Sequence, residues 1–292
     1  MSGPMNKRRA DPVRIFCYVF LFVFGVVLLY PVWYAVFGAM TTQSELDAGT
    51  GLFPPVHIEN IANYFTIFLA NGLLQSILIT LLRFVWHFLA ETFIAVLLGF
   101  IFARMNFWGK RGFFLMLMMS MMIPGIAMTV PNYIYLGRLT FFGPNGLIDN
   151  PLILFVTGLV NVYNIFLCRQ IISSMGSELQ EAAEIDGAGF LRTVFGIYLP
   201  LIQPVIAVIF INMFAGHWSD YTTSLVFLRN NTEWQTIGYK VTELMDYYVG
   251  STVRETPKMY AIAIVTMIPP VIAFLCVQDR FIEGLALGGV KG

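Results

Sequence analysis

The chain has 292 residues, of which 58% are hydrophobic and only 12% are charged. A soluble domain carries roughly 25% charged residues, so this composition excludes an ordinary soluble globular protein. The 17 basic and 17 acidic side chains balance to a net charge of zero, which argues against nucleic acid as a partner.

Apolar runs of about 20 residues, the length that crosses a bilayer, recur along the chain. They predict an all-α, polytopic transmembrane bundle at residues 15–277, between tails at 1–14 and 278–292. The first run exceeds the apolar region of a signal peptide, about 7 to 15 residues, so we interpret it as a retained span. The six predicted spans are residues 15–38, 73–103, 112–136, 151–172, 201–227 and 259–277.

Lys and Arg residues collect on one side of the predicted membrane, and the loops that hold them are usually cytoplasmic. Both termini and the loop after the fourth span are therefore predicted to be cytoplasmic. The residues on that side are Lys7, Arg8, Arg9, Arg14, Arg104, Lys110, Arg111, Arg169, Arg192, Arg280 and Lys291. Those on the opposite side are Arg138, Arg229, Lys240, Arg254 and Lys258.

The second span carries three ionisable residues, Arg83, His87 and Glu91, four positions apart. This spacing places them on one helix face, and His87 can pair directly with Glu91. Ionisable residues at membrane depth are candidates for a functional role. One interpretation is a polar lining of a transport pathway. The other is a buried ion pair that locks the span to a neighbouring helix or to a partner subunit, and a proton relay is a third.

Amide side chains occupy the fourth and fifth spans at Asn161, Asn164 and Asn212. Amides both donate and accept hydrogen bonds, as sugar hydroxyls require, so these three are candidates for a substrate pathway. They could equally form hydrogen bonds between helices.

The segment "HWSDY", residues 217–221, combines aromatic rings with a carboxylate. Trp218 and Tyr221 could stack on a sugar face beside Asp220, which could accept hydroxyl protons. Trp and Tyr also collect at membrane interfaces for lipid reasons alone. The three histidines are too dispersed in sequence, and the cysteines lack a CxxC spacing, so no metal site is predicted.

The segment between the fourth and fifth spans, residues 177–200, is acidic and reads "SELQEAAEIDGAGFLRTVFGIYLP". Ser177 and Gln180 have the form of a capping box, which predicts a helix start. Gly187 can adopt a positive φ and predicts the helix end. A second short helix is predicted from Phe190, ending near Leu199 because the residue before a proline disfavours the helical region.

Small and acidic residues share one face of the first of these helices, with Glu181 and Glu184 flanking it. Such a surface could enter a socket on a partner protein. The alternative is a helix lying on lipid headgroups, but those helices are typically basic and carry large apolar residues. The face comprises Leu179, Ala182, Ala183 and Asp186.

The same segment resembles the EAA signature of binding-protein-dependent ABC importer permeases, which reads E-A-A, three residues, G, nine residues, I, one residue, L-P. Similarity extends to "MMIPGIAMTVPNYIYL", "NMFAGHWSDY", "IPPVIAF" and "FIEGLALGGVKG", and the set looks like the sugar-importing branch with six spans. The matching residues are Glu181, Ala182, Ala183, Gly187, Ile197, Leu199 and Pro200.

The resemblance implies a type I ABC importer permease whose first EAA helix docks in a cleft of a cytosolic ATPase. The implied docking residues are Glu181, Ala182, Ala183, Glu184, Asp186 and Gly187. Ile197, Leu199 and Pro200 would anchor the second helix to the fifth span.

The implied partners are a second permease subunit in a heterodimer, two cytosolic ATPase subunits and an extracytoplasmic sugar-binding protein. The chain would be a multi-pass protein of the bacterial cytoplasmic (inner) membrane that binds no cofactor, with ATP and Mg²⁺ on the ATPase. The sequence contains no G-x-x-x-x-G-K-[ST] phosphate loop.

The expected function is therefore ATP-driven import of a mono- or oligosaccharide by alternating access, with hydrolysis on another chain. The alternatives are an ion-coupled secondary transporter, a permease for a non-sugar solute and a membrane-embedded enzyme. A secondary transporter would need no acidic docking helix, and an enzyme would show paired acids or histidine clusters at catalytic spacing.

Overall fold

The computed structural model describes residues 12–69, 72–250 and 254–289. Most of the predicted amino-terminal tail lies outside these residues, including Lys7, Arg8 and Arg9, and so does Lys291. The helices are α1 (Pro12–Gly38), α2 (Gln43–Ala48), α3 (Ala62–Leu69), α4 (Leu73–Arg104), α5 (Lys110–Ser120), α6 (Thr129–Gly137), α7 (Ile153–Val156), α8 (Val162–Ser174), α9 (Glu178–Ile185), α10 (Phe190–Arg192), α11 (Leu199–Leu201), α12 (Gln203–Trp218), α13 (Thr222–Phe227), α14 (Ile237–Gly250) and α15 (Thr256–Gly289).

The described residues are helical with connecting loops, which confirms the predicted all-α class. Three helices, α1, α4 and α15, are long and apolar enough to cross a membrane. Two bent pairs raise the possible number of spans in the described part to five. The count of six and the cytoplasmic placement of the termini stay predictions.

The second predicted span matches α4 to within one residue, but three others are not the continuous helices we predicted. In the third, α5 and the Gly125–Gly137 segment meet at 88°, because Pro124 cannot donate a backbone hydrogen bond and disfavours helix before it. The fourth, at 151–172, is interrupted at Thr157, which is extended, and at Gly158, whose φ is +78°.

The fifth predicted span, at 201–227, is also two helices, α12 and α13. Here the Asp220 carboxylate accepts a hydrogen bond from the backbone N–H of Thr223 at 3.0 Å, and this side-chain interaction starts a new helix. The last helix is longer than the predicted span, since α15 runs on to Gly289 and includes most of the predicted carboxy-terminal tail, while its candidate span is Thr256–Arg280.

The chain divides into two compact units, the first formed by the described residues of 1–69 and 244–267. Within it, Asn63 donates to the carbonyl of Ala39 at 2.8 Å and Tyr64 to that of Val36 at 2.7 Å. The large apolar side chains of α1 from Val13 to Leu29 are all half exposed or more. Lipid or another chain must cover such a surface in a membrane protein.

The segment after α1 in this unit is structured, with α2 and a short 3₁₀ turn at Ile58–Ile61. Glu45 and Thr42 form a capping box at the start of α2, and His57 Nε2 lies 2.9 Å from Glu45. The hydrogen bond from the Thr42 hydroxyl, followed by that from His57, lowers the pKa of Glu45 to about 2. The same hydrogen bond with Glu45 raises the pKa of His57.

The second unit comprises the described residues of 70–243 and 268–292, and its core forms where α4 packs along α8 and α12. Val96, Ile165, Ile172 and Ile209 are fully buried in this core. Gly99 of α4 allows the closest approach, because a Cβ atom there would lie 2.6 Å from the Cβ of Cys168 on α8. Two helices can approach this closely only where one of them lacks a side chain.

A Gly99→Ala substitution should therefore destabilise the second unit, by about 1–3 kcal/mol, because the added methyl group forces α4 and α8 apart. The midpoint of thermal unfolding in detergent measures the loss. Gly25→Ala in α1 is the matched control, because a Cβ at Gly25 meets nothing within 4 Å. Equal midpoints for the two variants would contradict the close packing.

Candidate functional site

The acidic segment folds as helix, glycine turn and helix, as the sequence predicts. Gly187 has φ +68°. The N–H of Ala188 donates to the carbonyl of Ala183 at 2.9 Å, and the N–H of Gly187 donates to that of Glu184 at 3.1 Å. These two bonds form a Schellman motif, which requires the left-handed conformation that glycine adopts without strain.

Two details of the segment differ from the prediction. Ser177 has helical φ and ψ values and forms no side-chain cap, while Gln180 donates to Glu184 at 3.0 Å, so the predicted capping box is absent. Leu199 is helical, so the second helix does not end there. A π-helical turn at Thr193–Tyr198 carries the chain into α11, and Pro200 is tolerated because it lies in the first turn of α11.

The predicted outward face of α9 is exposed at Leu179, Ala182 and Asp186, and one of its four residues is not. Ala183 is 2% exposed and packs inward, so its predicted place on the outward face is wrong. Glu178, Glu181, Ala182 and Ile185 are exposed on the opposite side, and Ile185 is 85% exposed. We name these four residues the α9 outer face. The sequence contains one indication of this exposed apolar residue, since Ile185 lies between two acidic residues. The prediction instead followed the alanine pair, Ala182 and Ala183.

The second EAA helix is anchored through Ile197 and Leu199, which pack against the core of the second unit as predicted. Pro200 is exposed and contributes less. The predicted set omits Tyr198, which is fully buried between them and contacts Phe100 with ring centroids 5.0 Å apart.

The connection from α8 into this segment is held by one side chain at the end of α4. Arg104 Nη2 lies 3.0, 2.6 and 3.0 Å from the carbonyl oxygens of Ile172, Met175 and Gly176, respectively. A guanidinium group suits the free carbonyls at a helix carboxyl end. The base of the acidic segment is therefore tied to both α4 and α8.

A polar cavity of about 280 Å³ lies among α4, α8 and α12 in the second unit. It contains most of the ionisable and amide residues that the sequence analysis selected. Its polar lining comprises Arg83, Glu91, Asn161, Tyr163, Asn164, Asn212, His217 and Asp220.

The charged face of α4 is buried and paired. Arg83 Nη1 donates to Asp220 Oδ2 at 2.5 Å, which joins α4 to the end of α12. His87 Nε2 lies 2.8 Å from the carbonyl oxygen of Leu154, and His87 Nδ1 lies 3.5 Å from Glu91 Oε1. Asn164 donates to the other Glu91 oxygen at 3.2 Å. Arg83 is an ion-pair partner and also lines the cavity, so the ion-pair and polar-lining interpretations both describe it, and the proton relay stays a hypothesis.

Two predicted aromatic contacts lie outside this cavity. Trp218 stacks on Phe214 with centroids 5.5 Å apart, and Tyr221 stacks on Tyr239 at 5.7 Å. Asn161 is the N-cap of α8, accepting from the backbone of Tyr163 at 3.0 Å, rather than an interior helix residue.

Histidine dispersion in sequence was a poor guide to the spatial arrangement. The rings of His87 and His217 lie 4.7 Å apart, and their ligand atoms and that of Glu91 all fall within 4.8 Å of one another. Residues 130 positions apart meet because α12 packs on α4. His57 belongs to the other unit.

Comparisons with known proteins agree with this architecture. The family model described as "binding-protein-dependent transport system inner membrane component" matches residues 95–285, more than half of the chain. The crystal structure of a bacterial ABC transporter that imports the acidic polysaccharide alginate contains a similar chain, with a TM-score of 0.79, 22% identity, and coverage of 96% of this chain and 100% of that one.

Curated relatives cover nearly the whole chain. The galactooligosaccharides transport system permease protein GanQ of Bacillus subtilis is 28% identical over 100% of both chains. The maltodextrin transport system permease protein MalD of Streptococcus pneumoniae is 26% identical over 94% of each. The sn-glycerol-3-phosphate transport system permease protein UgpE of Agrobacterium fabrum is 28% identical, covering 93% of this chain and 95% of that one. By its family match, this chain is a multi-pass membrane protein that belongs to the inner membrane components of binding-protein-dependent transport systems.

Proposed function

We propose that this chain is one permease subunit of an ATP-driven importer of neutral carbohydrate, working with a second permease, two cytosolic ATPase subunits and an extracytoplasmic binding protein. The observation that carries the coupling role is the outward helix α9, closed by a Schellman turn at Gly187 and tied to α4 by Arg104. Its acidic outer face, with Ile185 at the tip, offers both charge and apolar area to an ATPase cleft.

The polar cavity supports carbohydrate as the cargo. Its amides at Asn164 and Asn212 offer donors and acceptors for hydroxyl groups. At about 280 Å³ the cavity is close to the lower end of the range for ligand sites, roughly 300–1,000 Å³, so it would hold a small part of an oligosaccharide at a time. The names of the GanQ and MalD relatives agree with this class of cargo.

A phosphorylated polyol is the second candidate, because the UgpE relative is equally similar. The charges of the cavity argue against it. Arg83 is already engaged by Asp220, and the carboxyl group of Glu91 also faces the cavity. Two carboxyl groups against one guanidinium group disfavour a further anion.

The test is uptake into proteoliposomes that contain the permease pair with its ATPase subunits and binding protein. We expect uptake of a neutral oligosaccharide that depends on ATP inside the vesicles, and none of glycerol 3-phosphate or galacturonate oligomers. Uptake that persists without any ATPase subunit would overturn the coupling role. ATP-dependent uptake of only the anionic solutes would overturn the assignment of cargo.

A further inference from the structure

A second cavity, of about 430 Å³, lies in the same unit where the end of α4, the start of α5 and the side of α8 meet. Its charged lining residues are Lys110, Arg111 and Arg169, and no carboxyl group is among the residues that line it. We name it the basic pocket. It shares no lining residue with the polar cavity, and the proposed import function does not use it.

Two of the three cations are held by neutral groups. Lys110 Nζ donates to the carbonyl of Met105 at 2.8 Å. Arg169 donates through Nε to the carbonyl of Phe102 at 3.4 Å, and its guanidinium carbon lies 4.0 Å from the centre of the Phe114 ring. These contacts fix the side chains but leave their charge uncompensated. Within the described residues, none of the three cations forms an ion pair.

The start of α5 adds to this positive potential. A helix amino terminus carries a partial positive charge and free N–H groups, and acidic side chains normally stabilise it. Here the N-cap is Gly109, with φ +79°, no side-chain cap forms and the first turn holds no acidic residue. Lys110 and Arg111 occupy that turn instead. Such an arrangement is electrostatically unfavourable unless an anion binds there.

The surroundings of the pocket indicate where that anion comes from. Trp108 is 93% exposed, and Phe113 is 52% exposed. Exposed Trp and Phe side chains beside cations are typical of the level of lipid headgroups. Lys110 and Arg111 belong to the basic loop that the distribution of Lys and Arg predicts to be cytoplasmic. Basic pockets between helices on that side of a membrane bind anionic headgroups.

We propose that the basic pocket binds the headgroup phosphate of an anionic phospholipid of the cytoplasmic leaflet. Lys110 and Arg169 supply charged donors, and the backbone N–H groups of Arg111 and Gly112 in the first turn of α5 supply neutral ones. The acyl chains would lie along the exposed apolar surface of α5. Because Arg169 belongs to α8, the bound lipid also braces the helix that leads into the acidic segment.

The experiment counts lipids that stay bound to the purified transport complex in native mass spectrometry, after equilibration with phosphatidylglycerol or phosphatidylcholine. We expect wild-type complex to retain phosphatidylglycerol in preference to phosphatidylcholine. The double variant Lys110→Gln/Arg169→Gln should weaken retention by about tenfold or more, because it removes two of the three cations that line the pocket.

The control is Arg138→Gln/Arg229→Gln, which removes the same charge from two exposed residues outside the pocket and should retain the lipid like wild type. The single variant Arg169→Lys, with Lys110 unchanged, alters the side chain but keeps its positive charge. It should retain most of the lipid binding. Equal retention by the double variant and the control would overturn the proposal. Displacement of the lipid by millimolar inorganic phosphate would overturn the lipid as the source of the anion.

Discussion

A Gly187→Val variant should abolish ATP-dependent uptake while the protein still inserts and assembles. Gly187 has φ +68°, and a Cβ atom there would meet nothing within 4 Å, so backbone strain alone causes the effect. A β-branched residue in this left-handed region costs on the order of 1–3 kcal/mol, enough to open the Schellman turn and reorient α9. Uptake and ATP hydrolysis are measured together on the reconstituted complex. We expect that ATP hydrolysis no longer drives uptake.

Gly189→Val is the matched control for this experiment. Gly189 has φ −67° and ψ 161°, an extended conformation open to any residue, and it also has no atom within 4 Å of an added Cβ. The control should transport nearly like wild type. Normal uptake by a well-expressed Gly187→Val variant would contradict the role assigned to the turn.

An Asp220→Ala variant should lose about 3–5 kcal/mol of stability, the usual cost of leaving one partner of a buried ion pair alone. The Arg83 side chain is 8% exposed, so water cannot easily replace the carboxylate. The substitution also removes the acceptor for the Thr223 backbone and hydroxyl groups. The readout is the midpoint of thermal unfolding in detergent.

Two further variants distinguish the effect of an unpaired buried charge from a nonspecific loss of stability. Glu243→Ala breaks the pair with Lys240, in which the Glu243 side chain is 45% exposed, and should cost no more than about 1 kcal/mol. The double variant Arg83→Leu/Asp220→Ala removes both charges and should be more stable than Asp220→Ala alone. If the double variant is the less stable of the two, the unpaired guanidinium is not the cause.

Local features of this protein could be predicted from the sequence because they depend on neighbouring residues. The bounds of α4 follow from a long, mostly apolar run that contains no proline, and the turn at Gly187 follows from the one residue type that suits positive φ. The direction in which each segment runs could not be predicted in this way. Hydropathy measures the length of an apolar run, and it is unchanged when Pro124 or Gly158 turns the chain inside that run.

The partners of the buried polar groups could not be predicted from the sequence either. Arg83 and Asp220 are 137 positions apart, and only the packing of α12 on α4 brings them together. The inward position of Ala183 depends on how α9 rests on the rest of the chain, which its own periodicity does not contain. The candidate site was therefore predictable as a set of residues, and its contacts required the folded structure.

The α4–α8 pair connects the base of the acidic segment with the polar cavity. At one end Arg104 grips the carbonyls at the base of the acidic segment, and further along Glu91 meets Asn164 at the polar cavity. The 13 residue steps from Glu91 to Arg104 span about 20 Å of continuous helix within α4. Under the proposed function, a displacement of the acidic segment would reach the polar cavity along α4, and the close approach at Gly99 would make α8 move with it.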